Sequence, residues 1–206
     1  MDVMGVDEAG RGSVLGPLVV AGVVIPEKMN KVLERMGVKD SKRLTPGRRH
    51  ILSRKLKKMF TYKLVVITAQ EIDEMRAEGI NLNEIEKSAM ASIISELDAE
   101  KTIVDAVDIK AERFQNNLCE LTGKDVIAEH KADDNYIQVS AASIIAKFAR
   151  DEYILELNNE YRSMGGIGSG YPSDPTTKHF LSKFSYDEMP YFVRKSWATV
   201  AKLKDK

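Results

Sequence analysis

The sequence predicts an α/β fold: a mixed five-stranded sheet flanked by helices, with a small helical C-terminal region. Three observations predict it. Three β-prone runs follow one another early, the first two joined by a glycine-rich turn. Two further short apolar runs then alternate with amphipathic helices, and from Gly165 a polar, glycine-rich loop leads into a shorter C-terminal part. Hairpins first and crossovers later imply a sheet that is antiparallel at one side and parallel at the other.

Residues 3–6 form a first strand and residues 17–25 a second, nearly continuous apolar one. Gly10, Gly12 and Gly16 punctuate the turn between them, so an antiparallel hairpin is the economical reading. Residues 31–36 read as a short helix stopped by Gly37. Thr45-Pro46 opens a basic helix, with Thr as N-cap and Pro at the first helical position; its apolar stripe is Ile51, Leu52, Leu56 and Met59. Residues 62–69 read as a third strand beside the second. Asn81 or Asn83 caps a helix whose Leu82, Ile85, Ala89, Ile93 and Leu97 recur at helical spacing. Thr102-Ile103-Val104 is a fourth strand ending on Asp105, and a helix over residues 112–121 closes at Gly123. Residues 125–128 make the fifth strand, and residues 139–161 a long helix whose alanine- and serine-rich first half can lie close to a sheet.

Composition narrows the function classes. Of 206 residues, 43% are hydrophobic, enough for a substantial core, while the single cysteine, Cys119, excludes a disulfide framework and points to a reducing compartment. Cys119 reads as a small apolar helix residue rather than a nucleophile. No apolar run reaches the ~20 residues that span a bilayer, and the N-terminus lacks signal-peptide character; the expectation is a cytoplasmic protein with no membrane partner. Net charge is zero, yet residues 39–63 are almost purely basic and residues 71–100 mostly acidic. A one-sided basic surface can attract phosphates on a neutral protein, although for most of residues 48–58 a solvated helix face is the simpler reading.

The opening stretch, Asp7-Glu8-Ala9-Gly10-Arg11-Gly12, carries the most chemistry. Two adjacent carboxylates end a strand and can hold hard divalent cations through oxygen. The glycines beside them allow backbone to approach a sugar or phosphate. Asp105 ends another strand and Asp133 lies just past a third, so these acids are expected to share one sheet edge. Unneutralised, they would raise one another's pKa values; a pair of Mg²⁺ or Mn²⁺ ions removes that penalty and supplies phosphodiester chemistry. An aspartate after a strand is commonly only a turn or cap residue; it is the set, beside Gly-Arg-Gly, that points to metal. Asp108 reads as a turn residue and Asp134 as solvated. His50, His130 and His179 read as structural, since no pair has metal-ligand spacing, and the glycine turn lacks the Gly-Lys-Ser/Thr ending of a P-loop.

Asp7-Glu8-Ala9-Gly10-Arg11-Gly12, Gly16-Pro17, Asp40-Ser41-Lys42-Arg43-Leu44, Glu129-His130-Lys131-Ala132-Asp133 and Ser140-Ala141-Ala142-Ser143-Ile144-Ile145-Ala146-Lys147 together resemble ribonuclease HII. Gly168-Ser169-Gly170-Tyr171-Pro172-Ser173-Asp174-Pro175 and Arg194-Lys195-Ser196-Trp197 resemble its archaeal form. The resemblance implies an RNase H-like catalytic domain over residues 1–163 and a helical substrate-binding region over 164–206. It implies an endonuclease acting on RNA/DNA hybrids and on DNA duplex containing single ribonucleotides. Asp7, Glu8, Asp105 and Asp133 would be the catalytic set holding two Mg²⁺ or Mn²⁺ ions. Gly10, Arg11 and Gly12 would recognise the ribose 2′-OH, a group that distinguishes RNA from DNA, and Tyr171 would stack on the following deoxyribose. Lys42, Arg43 and Lys147 would contact phosphates, with an exposed helix lysine the even alternative for Lys147. A monomer is expected. Residues 198–206 hold no glutamine-and-aromatic peptide, so sliding-clamp binding is not expected, and with the catalytic strand read from residue 2 the N-terminal domain of the type III enzymes is not expected either. Two other readings stay open: a non-catalytic nucleic-acid-binding module using residues 39–63, and another RNase H-fold nuclease such as a Holliday junction resolvase.

Overall fold

In the computed structural model, which describes residues 1–204 and leaves the Asp40 side chain undescribed, five strands form one sheet. They are β1 (Asp2–Ala9), β2 (Leu18–Pro26), β3 (Thr61–Ile67), β4 (Lys101–Asp105) and β5 (Val126–Glu129), in the order β3-β2-β1-β4-β5. β1 pairs antiparallel with β2, from Asp2 opposite Pro26 to Ala9 opposite Val19. β4 pairs parallel with β1 and with β5. The expected mixed sheet is therefore present. The final two residues of the tail read above for clamp docking lie outside the described residues.

Nine α-helices are described: α1 (Asn30–Met36), α2 (Pro46–Met59), α3 (Ala69–Ala77), α4 (Leu82–Glu96), α5 (Ala111–Thr122), α6 (Ala132–Asn135), α7 (Ile137–Glu160), α8 (Pro175–Leu181) and α9 (Ala198–Ala201). Thr45 caps α2 through its side chain, which accepts from the Arg48 N–H, and Pro46 occupies the first turn, as the sequence implies. The stripe of α2 differs from the reading above. Leu52, Ser53 and Leu56 are buried, whereas Ile51 and Met59 are exposed. The helix touches the core along a narrow edge, which leaves room for only part of the apolar set.

The third strand also ends earlier than residues 62–69 implied, because Ala69 already belongs to α3. That helix starts with a capping box: Thr68 accepts from the Glu71 N–H, and the Glu71 carboxylate accepts from the Thr68 N–H at 2.8 Å. Four-residue α6 was likewise not foreseen.

The chain forms two compact units, one of Met1–Ala9, Val19–Val65 and Asn83–Phe148, the other of Gly10–Leu18, Val66–Leu82 and Ala149–Lys206. In the first, α7 packs backbone to backbone on β1. A Cβ on Gly5 would stand 2.1 Å from the Gln138 carbonyl carbon, so only glycine allows that approach. Val139, Ala141, Ala142, Ile144 and Ile145 of α7 are buried there. In the second, Val14, Leu15, Ile154, Ile167, Phe180 and Phe192 belong to one core cluster. Among the described residues no helix is long and apolar enough to cross a membrane.

Gly5→Ala forces backbone apart at the strand carrying the first acids, and overpacking of this kind is expected to cost more than about 3 kcal/mol. Urea unfolding measures it; a loss under about 1 kcal/mol would show that α7 can lift from the sheet without penalty.

Candidate active site

The parallel register of β1 and β4 creates the first part of the site. Val6 lies opposite Val104, so the next residues, Asp7 within β1 and Asp105 at the end of β4, fall side by side. β1 does not stop at Asp7-Glu8 as the sequence implied but stays paired with β2 through Ala9. Asp7, Glu8 and Asp105 each offer a carboxylate oxygen, and the three oxygens lie within 4.8 Å of one another. Asp7 is almost fully buried, and its Oδ1 accepts the Glu8 N–H at 2.8 Å. Asp105 Oδ1 accepts the Ala132 N–H at 2.9 Å. Lys131, immediately before, is the single non-glycine with positive φ among the described residues, at 58°. That left-handed residue turns the chain from β5 into α6 and aims consecutive N–H groups at Asp105, a small anion-binding nest.

Burial drives the Asp7 carboxyl well above the usual range, and the Glu8 and Asp105 charges raise it further. Asp105 is pushed up to about 6, mainly by burial, with Glu8 and Asp133 adding to it and the Ala132 N–H opposing it. Glu8 Oε2 is buried without a hydrogen-bond partner. An all-oxygen set with an unpartnered buried oxygen and two aspartates resisting ionisation fits a hard divalent cation.

Asp133, in the first turn of α6, is buried and close enough to raise the Asp105 pKa, but it lies outside the group of three. Its Oδ1 is 3.2 Å from Lys42 Nζ, which also donates to Asp134 Oδ1 at 2.7 Å. Asp134 is thus ion-paired as well as half-exposed, and the Lys42 hydrogen bond lowers its pKa. The Lys147 charge, on half-buried α7 backbone, acts on the same carboxylate. Arg43 is exposed beside Lys42 in a shallow cleft with Lys39 and Asp134. Asp108 is a turn residue: it accepts from the Lys110 N–H and pairs with Arg113 at 2.6 Å. His130 Nε2 lies 3.2 Å from the Ile109 carbonyl, and His50 stacks on Phe148.

The second unit holds the turn that follows β1. Gly10 has φ +87°, and its carbonyl accepts from the Ser13 N–H and hydroxyl. Gly12 is exposed, and a Cβ there would lie 3.9 Å from the Tyr171 ring. The Gly170 carbonyl accepts from Val14 and Leu15 N–H, which joins the turn to the Tyr171 loop. Tyr171 lies under the Arg150 guanidinium, 5.2 Å from its ring centroid, rather than simply resting on Pro172. Sequence reasoning missed Arg150 and gave Arg194 no task. Both are buried and donate to carbonyls of this turn. The available signal was an arginine four residues after buried Ala146 and four before buried Ile154, on the apolar face of α7.

A mixed five-stranded sheet with carboxylates converging from adjacent strands is the framework of an RNase H-fold nuclease. A family model described as Ribonuclease HII matches residues 4–200. The ribonuclease HII of Methanobrevibacter smithii is 75% identical over 205 residues, covering 100% of this chain and 99% of the relative. The crystal structure of a ribonuclease H2 from Pyrococcus horikoshii superimposes with a TM-score of 0.90 at 42% identity, covering 100% of this chain and 98% of that one. The RNase HII in a complex with PCNA from Archaeoglobus fulgidus gives 0.88 at 42% identity, covering 99% and 97%. The chain belongs to the ribonuclease HII family, a group of RNase H-type endonucleases.

An aspartate with a raised folded pKa binds its proton more tightly folded than unfolded. Its contribution to stability is full below about pH 4 and is lost as pH rises through 6. Asp105→Asn therefore raises the Tm of the metal-free protein most above pH 7, and the gain shrinks towards pH 4. Parallel melting curves check this; a gain independent of pH would mean that Asp105 carries no such strain.

Proposed function

We propose that this protein hydrolyses the RNA strand of RNA/DNA hybrids. We further propose that it cuts duplex DNA on the 5′ side of an embedded ribonucleotide, leaving a 3′-hydroxyl and a 5′-phosphate. The observation that carries the proposal is the group of Asp7, Glu8 and Asp105 oxygens within 4.8 Å of one another. Asp7, Glu8, Asp105 and Asp133 would hold two Mg²⁺ or Mn²⁺ ions. Such ions, when bound, activate water and stabilise a departing 3′-oxygen.

The chain's own residues do the rest. The Lys131 and Ala132 N–H groups fix the Asp105 carboxylate in one orientation. Lys42 neutralises Asp133 and Asp134 and, with Arg43 and Lys147, contacts substrate phosphates. Gly10, Arg11 and Gly12 bring backbone against the ribose 2′-OH, where a side chain would intervene. Tyr171, beside Gly12, stacks on the following deoxyribose, and residues 164–206 serve as the substrate-binding region. The single free thiol, Cys119, supports work in a reducing, cytoplasmic setting.

Incubation with a duplex carrying one ribonucleotide tests the reading: a single nick 5′ to the ribonucleotide with Mg²⁺ or Mn²⁺, none with chelator. Nicking that persists in chelator, or none under either condition, would refute it. Asp105→Asn is expected to bind this duplex yet lose more than about a hundredfold in turnover, beyond the usual cost of an outer-shell partner. Gly12→Leu is expected to weaken the preference for ribonucleotide-containing over all-DNA duplex in a binding assay; an unchanged preference would remove the turn from recognition.

A further inference from the structure

Arg194 and Arg150 are buried cations whose hydrogen bonds go to backbone carbonyls. Arg194 is fully buried. Its Nε donates to the Gly16 carbonyl at 3.0 Å and its Nη1 to the Arg11 carbonyl at 3.1 Å, while Nη2 is buried without a partner. Trp197 lies 4.7 Å from the guanidinium carbon. The Arg194 backbone N–H donates to the Val14 carbonyl, and Val193 forms a β-bridge with Leu15. Asp73 accepts from the Lys195 and Ser196 N–H groups and from the Ser196 hydroxyl, anchoring the segment that presents Arg194. Arg150 Nη2 donates to the Leu15 carbonyl at 3.0 Å, and a Cβ on Gly10 would stand 2.3 Å from Arg150 Nε. Gly10 is thus open space that the guanidinium fills.

Burying two guanidiniums is expensive, and an apolar pair would fill the volume more cheaply. A charged fork does something an apolar side chain does not. The Arg11 carbonyl and the Gly12 N–H belong to one amide, and in a trans peptide they point in opposite directions. A cation bonded to that oxygen draws density from the nitrogen and strengthens the opposite N–H as a donor. Gly12 is exposed. The pushed-back charge therefore acts on the outward edge of the turn.

We propose that Arg194 and Arg150 are positioning residues for ribose recognition, Arg194 holding and polarising the Arg11-Gly12 amide and Arg150 fixing the turn against Tyr171. This rests on the assignment of Gly10-Arg11-Gly12 to the ribose. Arg194→Lys keeps the charge and loses the two-point fork. The test is made in the Asp105→Asn protein, which binds without cutting. Affinities are compared for a duplex with one ribonucleotide and for the same duplex in all-DNA form. Arg194→Lys is expected to reduce the preference about tenfold to a hundredfold, the scale of a displacement near an ångström, with all-DNA affinity and the Mn²⁺-induced Tm shift unchanged. A folded Arg194→Lys protein with full preference overturns the proposal. So does an equal loss for both duplexes, which marks a merely structural role. If Arg194→Lys does not fold, Asp73→Asn decides: a reduced preference supports the proposal and an unchanged one overturns it. A parent protein with no preference at all would instead sink the ribose assignment, and the proposal with it.

Discussion

Desolvation of clustered carboxylates, reinforced by their mutual repulsion, is the constraint around which this molecule is built. Parallel pairing of β1 with β4 leaves no choice about where Asp7 and Asp105 fall, since both are the residues next after a paired valine. Burial and the neighbouring charges then hold both aspartates towards their protonated forms. A fold with no use for cations would relieve that strain with an amide or an arginine. Lys42 forms an ion pair with Asp133, the acid of the set that lies outside the central three. The architecture around the acids is rigid by the same logic: Gly5 lets α7 sit directly on β1, and the Lys131 nest fastens β5 to Asp105.

The turn after β1 obeys the opposite electrostatic rule. Its carbonyls face inward onto two guanidiniums, so its backbone, not its side chains, is what the structure fixes. Glycine at position 10 is required twice, by its φ of +87° and by the space Arg150 occupies. The Gly170 carbonyl adds the neighbouring loop to the same network. Small side chains outside and large cations inside make a surface that can approach a sugar closely.

Much of this was legible in the sequence because punctuation and periodicity are local. Gly37, Gly123 and Thr45-Pro46 mark helix ends through backbone chemistry that needs no tertiary partner. Asp105 was legible because β4 is short and apolar, so its end stands out, whereas Asp7 and Glu8 were read as ending a strand that in fact continues to Ala9. The α3 helix was hidden by a run of acids, although Thr68 and Glu71 at capping-box spacing announced it. The α6 helix was not legible: four mostly polar residues become helical only because Lys131 takes a left-handed conformation. Arg150 and Arg194 were not legible either, since the carbonyls they bind lie 135 and 178 residues away. Half-read, too, was α2, whose stripe was correct in type and too wide in extent.

Divalent cations held by Asp7, Glu8 and Asp105 would relieve the burial strain on the two aspartates and displace their protons. Titration calorimetry with Mn²⁺ at pH 6, repeated in buffers of different ionisation enthalpy, tests it most directly. Saturable binding accompanied by net proton release is expected, with both lost in Asp7→Asn. Binding without proton release, or equal binding by Asp7→Asn, would contradict it.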